Sequence, residues 1–556
     1  MANKKHFGVM LDMSRNGVMK VEEVKNYASI IAKMGYNTLQ LYMEDVYEVD
    51  NEPYFGYLRG RYTKEELKDI VSYCNSIGIE VVPCVQTLAH LENALRWKPY
   101  REIVDCENIL LVGDEKTYEF IERTFKSLRE CFTSDCIHIG MDEAGMIGLG
   151  RYLAIHGYQN RIEIFQKHLE RVMEISKKYG FKPMMWSDMF FRLANDGQYY
   201  PENPTLPEEV VNTIPKDLGI VYWDYYTADK EYYKKMMNAH LKSKAELWFA
   251  GGAWTWAGFA SGNKLAIETM TLAMQSAKEC GVDNILFTLW GDNGRECSYY
   301  SVLPALFTVR KVYEGITDLE VIKREFKQTV GEDYDAMMSM DLPNFVGGND
   351  CVMSNICKHM FYNDPFLGFL DSTVIDGAEE EYKIHAKTLS ENANGSNYAY
   401  LFENLSALCD FMSVKYNLGV RTRKAYKEKD KEQLSVLIDD YQRAIEFLDV
   451  FYSKFKFFWL KECKPNGFEV HDIRIGGLKQ RLIHCRERLI EYLNGNLAKI
   501  LELEEDILDF KGRGKAVKAK RLKVGESLYY TDYNAYNDRP PYLTPWAQIA
   551  SVSVIY

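Results

Sequence analysis

Nowhere in this 556-residue chain do apolar residues run together for the roughly 18 positions that a bilayer span requires. The first residues, Met1 to Phe7, lack an apolar h-region and a cleavage site, so no secretory leader is expected. The 12 cysteines include no CxxC pair. Cys84, Cys136 and Cys280 fall in buried-looking segments, which suits reduced thiols in a cytoplasmic protein better than a disulfide framework. The ten histidines show neither HxH nor HExxH spacing, so the ligands of a zinc-dependent barrel hydrolase are missing and no metal is expected. There is no GxSxG nucleophile elbow. The run Gly145-Met-Ile-Gly-Leu-Gly150 lacks the Lys-Ser/Thr of a phosphate loop, and no cofactor is expected. Positive charge is also short: 68 Lys and Arg against 80 Asp and Glu leave a net charge of −12. That argues against nucleic acid or an anionic membrane as partner, since both need a basic face. The one basic run, Lys511 to Lys523, reads as a solvated hairpin rather than a nucleic-acid patch.

What is present, 47% hydrophobic and 27% charged residues, is the composition of a soluble globular protein. The length exceeds what one core holds. From residue 7 to about 310, short β-rich runs alternate with amphipathic helices. The strand candidates are Phe7–Met13, Thr38–Met43, Glu80–Val85, Cys136–Gly140, Pro183–Trp186, Ile220–Trp223, Glu246–Ala250 and Asn284–Leu289. Eight such units predict an α/β fold of the (β/α)8 TIM-barrel type over residues 1–315. A doubly wound sheet would need a Gly-rich loop after its first strand, where this chain has Asp12-Met-Ser-Arg15. Beyond 315 the spacing of apolar residues predicts a mainly helical domain over 316–510, with long helices near Ala378–Leu389, Ala399–Tyr416, Lys431–Phe458 and Ile475–Asn494. A short β-rich C-terminal tail is expected over 511–556, where Tyr and Val accumulate. The helical domain offers a surface for a homodimer.

Chemistry in such barrels belongs to the C-terminal strand ends. Here the fourth candidate ends in Cys136-Ile-His-Ile-Gly-Met-Asp-Glu143. Two adjacent carboxylates raise each other's pKa, so a fold tolerates them where one must stay protonated and the other must not. The plainer reading makes one a helix cap and the other a solvated acid. The other tips carry Asp12 and Arg15, Glu44 and Asp45, Gln86 and His90, Trp186-Ser-Asp188, Tyr222-Trp-Asp-Tyr-Tyr226, Trp254-Thr-Trp256 and Trp290-Gly-Asp-Asn293. Six of the nine tryptophans lie in or just after the last four strands. Indole faces beside carboxylates suit a pyranose, whose C–H face packs on the ring while its hydroxyls bond to acids. Trp186, Trp223 and Trp290 are therefore read as pocket walls, and Trp248, inside its strand, as core.

These residues resemble the catalytic barrel of family 20 glycoside hydrolases, the β-N-acetylhexosaminidases. The family's fourth-strand His-x-Gly-Gly-Asp-Glu corresponds to His138-Ile-Gly-Met-Asp-Glu143. Its third unit, Tyr-Thr-x-x-(Asp/Glu), a helix, Gly-Ile-x-Val-x-Pro and a His, corresponds to Tyr62-Thr-Lys-Glu-Glu66, Gly78-Ile-Glu-Val-Val-Pro83 and His90. Trp186, Trp223 and Trp290 match its later tryptophans. The resemblance implies an exo-acting retaining glycosidase that removes terminal β-linked GlcNAc or GalNAc from oligosaccharides by substrate-assisted catalysis. Glu143 is then the general acid, and Asp142 orients the 2-acetamido group and stabilises an oxazolinium intermediate. His138 and His90 support the pair. Trp290 walls the acetamido pocket, and Asp292 binds the O4/O6 edge.

The chain also departs from the pattern. Phe7 stands where the family has an Arg, Met141 replaces the second Gly, and the seventh-strand Tyr has no match in Ala253-Trp-Thr-Trp256. Tyr225 or Trp254 is a candidate for the missing Tyr, and Arg474, in Phe468-Glu-Val-His-Asp-Ile-Arg-Ile-Gly-Gly477, for the missing Arg. The alternative for that segment is an ordinary helix start capped by Asp472. Because of these departures, an acetamido-sugar glycosidase of narrowed specificity and a non-catalytic carbohydrate-binding barrel stay open beside the leading reading.

Overall fold

Eight apolar runs pair edge to edge into one closed barrel in the computed structural model, which describes residues 5–195, 197–347, 356–510 and 543–555. The strands are β1 (Phe7–Asp12), β2 (Thr38–Tyr42), β3 (Glu80–Cys84), β4 (Cys136–His138), β5 (Lys182–Trp186), β6 (Gly219–Trp223), β7 (Glu246–Gly252) and β8 (Asn284–Leu289). Every neighbouring pair is parallel, and β1 closes onto β8 in the register Phe7↔Ile285 to Leu11↔Leu289. Strands in such a barrel are covered on both faces, inside by packed side chains and outside by helices. That is why β1, β6 and β8 are largely apolar rather than alternating, and why they and β2, which carries Thr38 and Gln40, are buried at every position.

The intervening helices follow local signals. Lys64–Ser76 begins with a reciprocal capping box, in which Thr63 Oγ1 accepts the Glu66 N–H and the Glu66 carboxylate accepts the Thr63 N–H. Part of the Tyr62-Thr-x-x-Glu66 match is thus a helix start. Tyr62 itself is buried and donates to the Met19 carbonyl (2.6 Å). Glu115–Cys131 and Arg161–Lys178 are capped by Asp114 and Asn160. Trp248 is core, 4.8 Å from the His6 ring.

Packing divides the chain discontinuously. One unit comprises 1–253, 267–290 and 306–318, and holds the barrel strands. The other comprises 254–266, 291–305 and 319–556. Its helices include Ala378–Asn392, Ala399–Lys415, Leu418–Glu428, Lys431–Glu462 and Phe468–Leu493. They pack around buried aromatics such as Phe259, Phe361, Phe451 and Phe455.

Two expectations need correction. The helix expected from Ile475 starts at Phe468, after Gly467 in a left-handed conformation (φ 93°), so Asp472 lies inside it and is no cap. Its carboxylate accepts the Tyr452 hydroxyl instead (2.6 Å). The expected β-rich tail and the basic run Lys511–Lys523 fall largely outside the described residues. The described part, 543–555, carries no strand but a short helix, Trp546–Ala550, whose start Pro545 favours. No helix among the described residues is long and apolar enough to cross a membrane.

Candidate active site

Strand β4 stops at His138, two residues before its apolar run ends, because the chain beyond turns left-handed. Gly140 has φ 68°, Met141 φ 70° and Glu143 φ 51°. At Gly140 a side chain is excluded twice over: a Cβ would fall 2.6 Å from Gln86 Cδ and 2.8 Å from the Val85 carbonyl oxygen. Met141 adopts the same conformation with a side chain, at a cost of about 1–2 kcal/mol. Its complete burial offsets that cost. Neighbours on a regular strand face opposite ways. This kink removes that restriction and sets Asp142 and Glu143 beside one cluster.

The two carboxylates are treated differently. Asp142 is largely buried: its Oδ1 accepts Gln86 Nε2–H (2.8 Å), and its Oδ2 lies 3.2 Å from His90 Nε2. Burial opposes its charge, yet His90 and the Gln86 hydrogen bond hold its carboxyl below the usual aspartate range. Burial would likewise strip the His90 proton, but Asp142 and then Glu143 (3.7 Å) outweigh it and lift the pKa to about 10. Asp142 and His90 are therefore an ion pair at neutral pH.

Glu143 has a side chain 44% exposed. Its backbone N–H donates to Asp188 Oδ2 (3.1 Å), and its Oε1 meets Arg192 Nη2 at 3.3 Å. Arg192 also binds Asp188 through Nε (2.9 Å), so Asp188 fixes the backbone of Glu143 and the cation beside it. Burial of Asp188 pushes its pKa up, against Arg192.

His138 is fully buried, and its Nδ1 accepts the Gly140 N–H (3.1 Å). Burial drives its pKa down to about 3, so it is neutral with the proton on Nε2. Its ring packs on Trp186 at 4.3 Å, and Trp186 lies 6.0 Å from Trp290. Trp186 is buried, which makes it a support for this wall; Trp290 and Trp223 keep a little exposed surface. Trp290 Nε1 donates to the Tyr225 hydroxyl (3.1 Å), and Tyr225 stacks on Trp223 (5.4 Å, 26°).

Within the barrel unit, then, Asp142, Glu143, His90 and His138 come together, and Trp186, Trp223, Tyr225 and Trp290 form a linked aromatic chain. Arg15, which the sequence marks only as a strand-tip residue, lies over the rings of Trp290 (4.9 Å) and Tyr42 (4.7 Å), with Asp12 and Glu44 at 3.2 and 3.6 Å. Burial lifts the Glu44 pKa to about 7. Asp188 and Arg192 were also missed as site residues. Their i, i+4 spacing at a helix start directly after β5 was the available signal.

Trp254, Asp292 and Arg474 belong to the second unit. Trp254 is buried and stacks on Trp256 (4.4 Å, 22°). Asp292 is half-buried in the loop that follows β8. Arg474 grips that loop, donating to the Asn293 carbonyl (2.7 Å) and Oδ1 (3.1 Å), with Glu296 Oε1 at 3.4 Å. No cluster of His, Cys, Asp or Glu among the described residues could hold a metal ion.

Comparison with known proteins bears on this arrangement. Residues 5–271 match the family described as "Glycosyl hydrolase family 20, catalytic domain", and 332–522 match "Glycoside Hydrolase 20C C-terminal domain". Hexosaminidase D of Bos taurus is 25% identical over 241 residues, 41% of this chain and 63% of that protein. A beta-hexosaminidase of Vibrio furnissii is 26% identical over 229 residues, 33% of this chain and 37% of that protein. The chain thus spans less than two thirds of the length of these relatives. A solved GH20 exo beta-N-acetylglucosaminidase from Vibrio harveyi, in complex with N-acetylglucosamine, aligns with a TM-score of 0.46 and 16% identity, over 61% of this chain and 59% of that one. With two of its family models matching over most of the sequence, the chain belongs to glycoside hydrolase family 20.

Proposed function

We propose that this chain is an exo-acting β-N-acetylhexosaminidase that releases terminal β-linked GlcNAc or GalNAc from oligosaccharides with retention of configuration. The observation that carries the reading is the division of labour after β4: one acid held as an anion by His90 and Gln86, its neighbour left half exposed. In the first step the acetamido carbonyl oxygen attacks C1. The C1–O bond breaks, and Glu143 gives its proton to the departing oxygen. Asp142 accepts the acetamido N–H, aiming the carbonyl and stabilising the positive charge of the oxazolinium ion that forms. In the second step Glu143 takes a proton from water as that water attacks C1, reopening the ring and regenerating the 2-acetamido sugar. Trp290, Trp223 and Tyr225 supply the aromatic wall, with Trp186 and neutral His138 behind.

Within the same reading, Tyr225 contacts the acetamido carbonyl. The site of action is cytoplasmic, supported by the 11 cysteines among the described residues that are all free.

The activity is tested with p-nitrophenyl β-GlcNAc and β-GalNAc. Hydrolysis, its loss in Glu143→Gln, and inhibition by a thiazoline mimic of the intermediate are expected. Hydrolysis unaffected by the thiazoline would exclude substrate assistance, and binding of both sugars without hydrolysis would leave a carbohydrate-binding barrel.

A further inference from the structure

Beyond Glu143 lies a cavity of about 580 Å³, within the size range of small-molecule sites. Its walls include Tyr158, Asn160, Arg161, Met189 and Arg192. Glu143 is the one residue it shares with the Asp142 cluster: Asp142, His90, Trp186, Trp223, Tyr225 and Trp290 do not line it. The two carboxylate oxygens of Glu143 face these two sides. Oε2 is 3.7 Å from His90, on the Asp142 side, and Oε1 is 3.3 Å from Arg192, on the cavity side. A general acid stands at the glycosidic oxygen, between the sugar being cleaved off and its leaving group. With the acetamido sugar against Asp142 and the tryptophans, the cavity receives the leaving group.

The charges on the cavity wall are not all matched. Arg192 is committed to Asp188 and Glu143. Arg161 donates to the Gly145 carbonyl, but it has no carboxylate partner among the described residues, and its buried Nε has no hydrogen-bond partner there. With Nη2 on the Gly145 carbonyl and Nε buried, Nη1 is the group left to meet an anion such as a carboxylate or sulfate through a charge-assisted hydrogen bond. Beside it Asn160 spends its Oδ1 on the Ile162 N–H. Tyr158, 76% exposed, offers a ring face on which a pyranose can pack.

We propose that this cavity is a leaving-group subsite for an acidic sugar, a uronate or sulfated hexose, with Arg161 as its anion-binding residue and Tyr158 as its platform. The proposal rests on the hydrolase reading above and adds the class of the leaving group. It is tested with a matched pair of disaccharides, β-GlcNAc-(1→4)-glucuronate and β-GlcNAc-(1→4)-glucose, which differ only at C6. In the unaltered enzyme, kcat/KM for the acidic member should exceed the neutral one by about tenfold, the scale of one charge-assisted hydrogen bond. Arg161→Met should bring the ratio close to one, while Arg161→Lys should keep part of it. A ratio near one in the unaltered enzyme, or a ratio that survives Arg161→Met, would overturn the proposal. Saturation-transfer NMR of the two disaccharides on the Glu143→Gln protein reads the cavity without turnover and with Arg161 in place. Contact to the glucuronate ring that exceeds contact to the glucose ring supports the subsite, and equal contact counts against it. Failure of the hydrolase reading itself would show separately, as absence of p-nitrophenyl sugar hydrolysis.

Discussion

Two clusters of paired charge follow barrel strands in this molecule, one after β4 and one after β8, and they are built to opposite ends. After β8, in the second unit, Glu296 and Lys358 meet at 2.6 Å with side chains 1% and 2% exposed. Glu462, fully buried, accepts from Ser298 (2.5 Å) and Tyr400 (2.8 Å) and faces Arg295 at 3.7 Å. Arg474 and the buried, neutral His471 tie the loop 293–296 down through its own carbonyls. After β4, Asp142 is met by Gln86 (2.8 Å) and His90 (3.2 Å), but Glu143 keeps nearly half its side chain in solvent. A charge that is buried with its partners holds a fold together, while one left reachable beside a fixed neighbour can exchange a proton with something that arrives. The contrast teaches where to look: the incomplete cluster is the one with chemistry left to do.

Four changes break or sharpen that contrast, from the largest expected effect to the smallest. Glu143→Gln removes the proton donor without changing shape; turnover should fall on the order of a thousandfold, with the unfolding midpoint little changed. Initial rates on p-nitrophenyl β-GlcNAc and a thermal melt check both halves. In the closed cluster the opposite should hold. Glu296→Ala takes the buried carboxylate away from the Lys358 ammonium, whose pKa burial already pulls down, and should cost about 3–5 kcal/mol of stability. Denaturant unfolding reads it, and a paired Glu296→Met, Lys358→Met variant should recover much of the loss.

His90→Gln gives the pH arm. The lowered Asp142 pKa contributes stability that is present above the unfolded aspartate value of about 3.9 and is lost as pH falls through its folded value. The raised His90 pKa contributes stability that is complete below the unfolded histidine value of about 6.5 and is lost as pH rises through about 10. The stability gap between the unaltered protein and His90→Gln should therefore be widest between about pH 4 and 6.5 and should close toward pH 10. A gap that stays constant across this range would deny the ion pair. Met141→Gly is the smallest: about 1–2 kcal/mol of left-handed strain is relieved, against about 2–5 kcal/mol for emptying a buried methionine site. The difference, roughly 0–4 kcal/mol, predicts a net loss of about 2 kcal/mol in unfolding free energy.

Much of the barrel was legible in the chain because strands covered on both faces announce themselves as apolar runs, and all eight lie within a residue or two of where those runs place them. Strand β4 was the exception in kind. Its run continues through Ile139 and Gly140, and nothing in the composition of Met141 or Glu143 marks a left-handed backbone, a conformation that most side chains resist. The adjacency of Asp142 and Glu143 was visible, but not the partners that separate them. Gln86 and His90 stood at a strand tip and could be named, whereas Arg192 acts from a helix turn beyond Asp188, where the i, i+4 spacing shows a pair but not that it reaches Glu143. The helix start at Phe468 was hidden for a similar reason. The polar residues His471 and Arg474 reach for backbone carbonyls some 180 positions earlier in the chain, and no local pattern foretells that.

The second unit's ownership of residues 254–266 and 291–305 sets an order on how the protein is made. Asn263 bonds to Asp341, Glu296 pairs with Lys358, and the Asn293 carbonyl takes its hydrogen bond from Arg474. During synthesis at about 5–20 residues per second, the carboxylate of Glu296 leaves the ribosome roughly ten to forty seconds before Arg474 does. All eight barrel strands are complete by then, yet the loops after β7 and β8 must wait for a segment not yet translated. Ending the chain after residue 318 would make that waiting permanent, leaving Asn263, Arg295 and Glu296 without the groups that complete them.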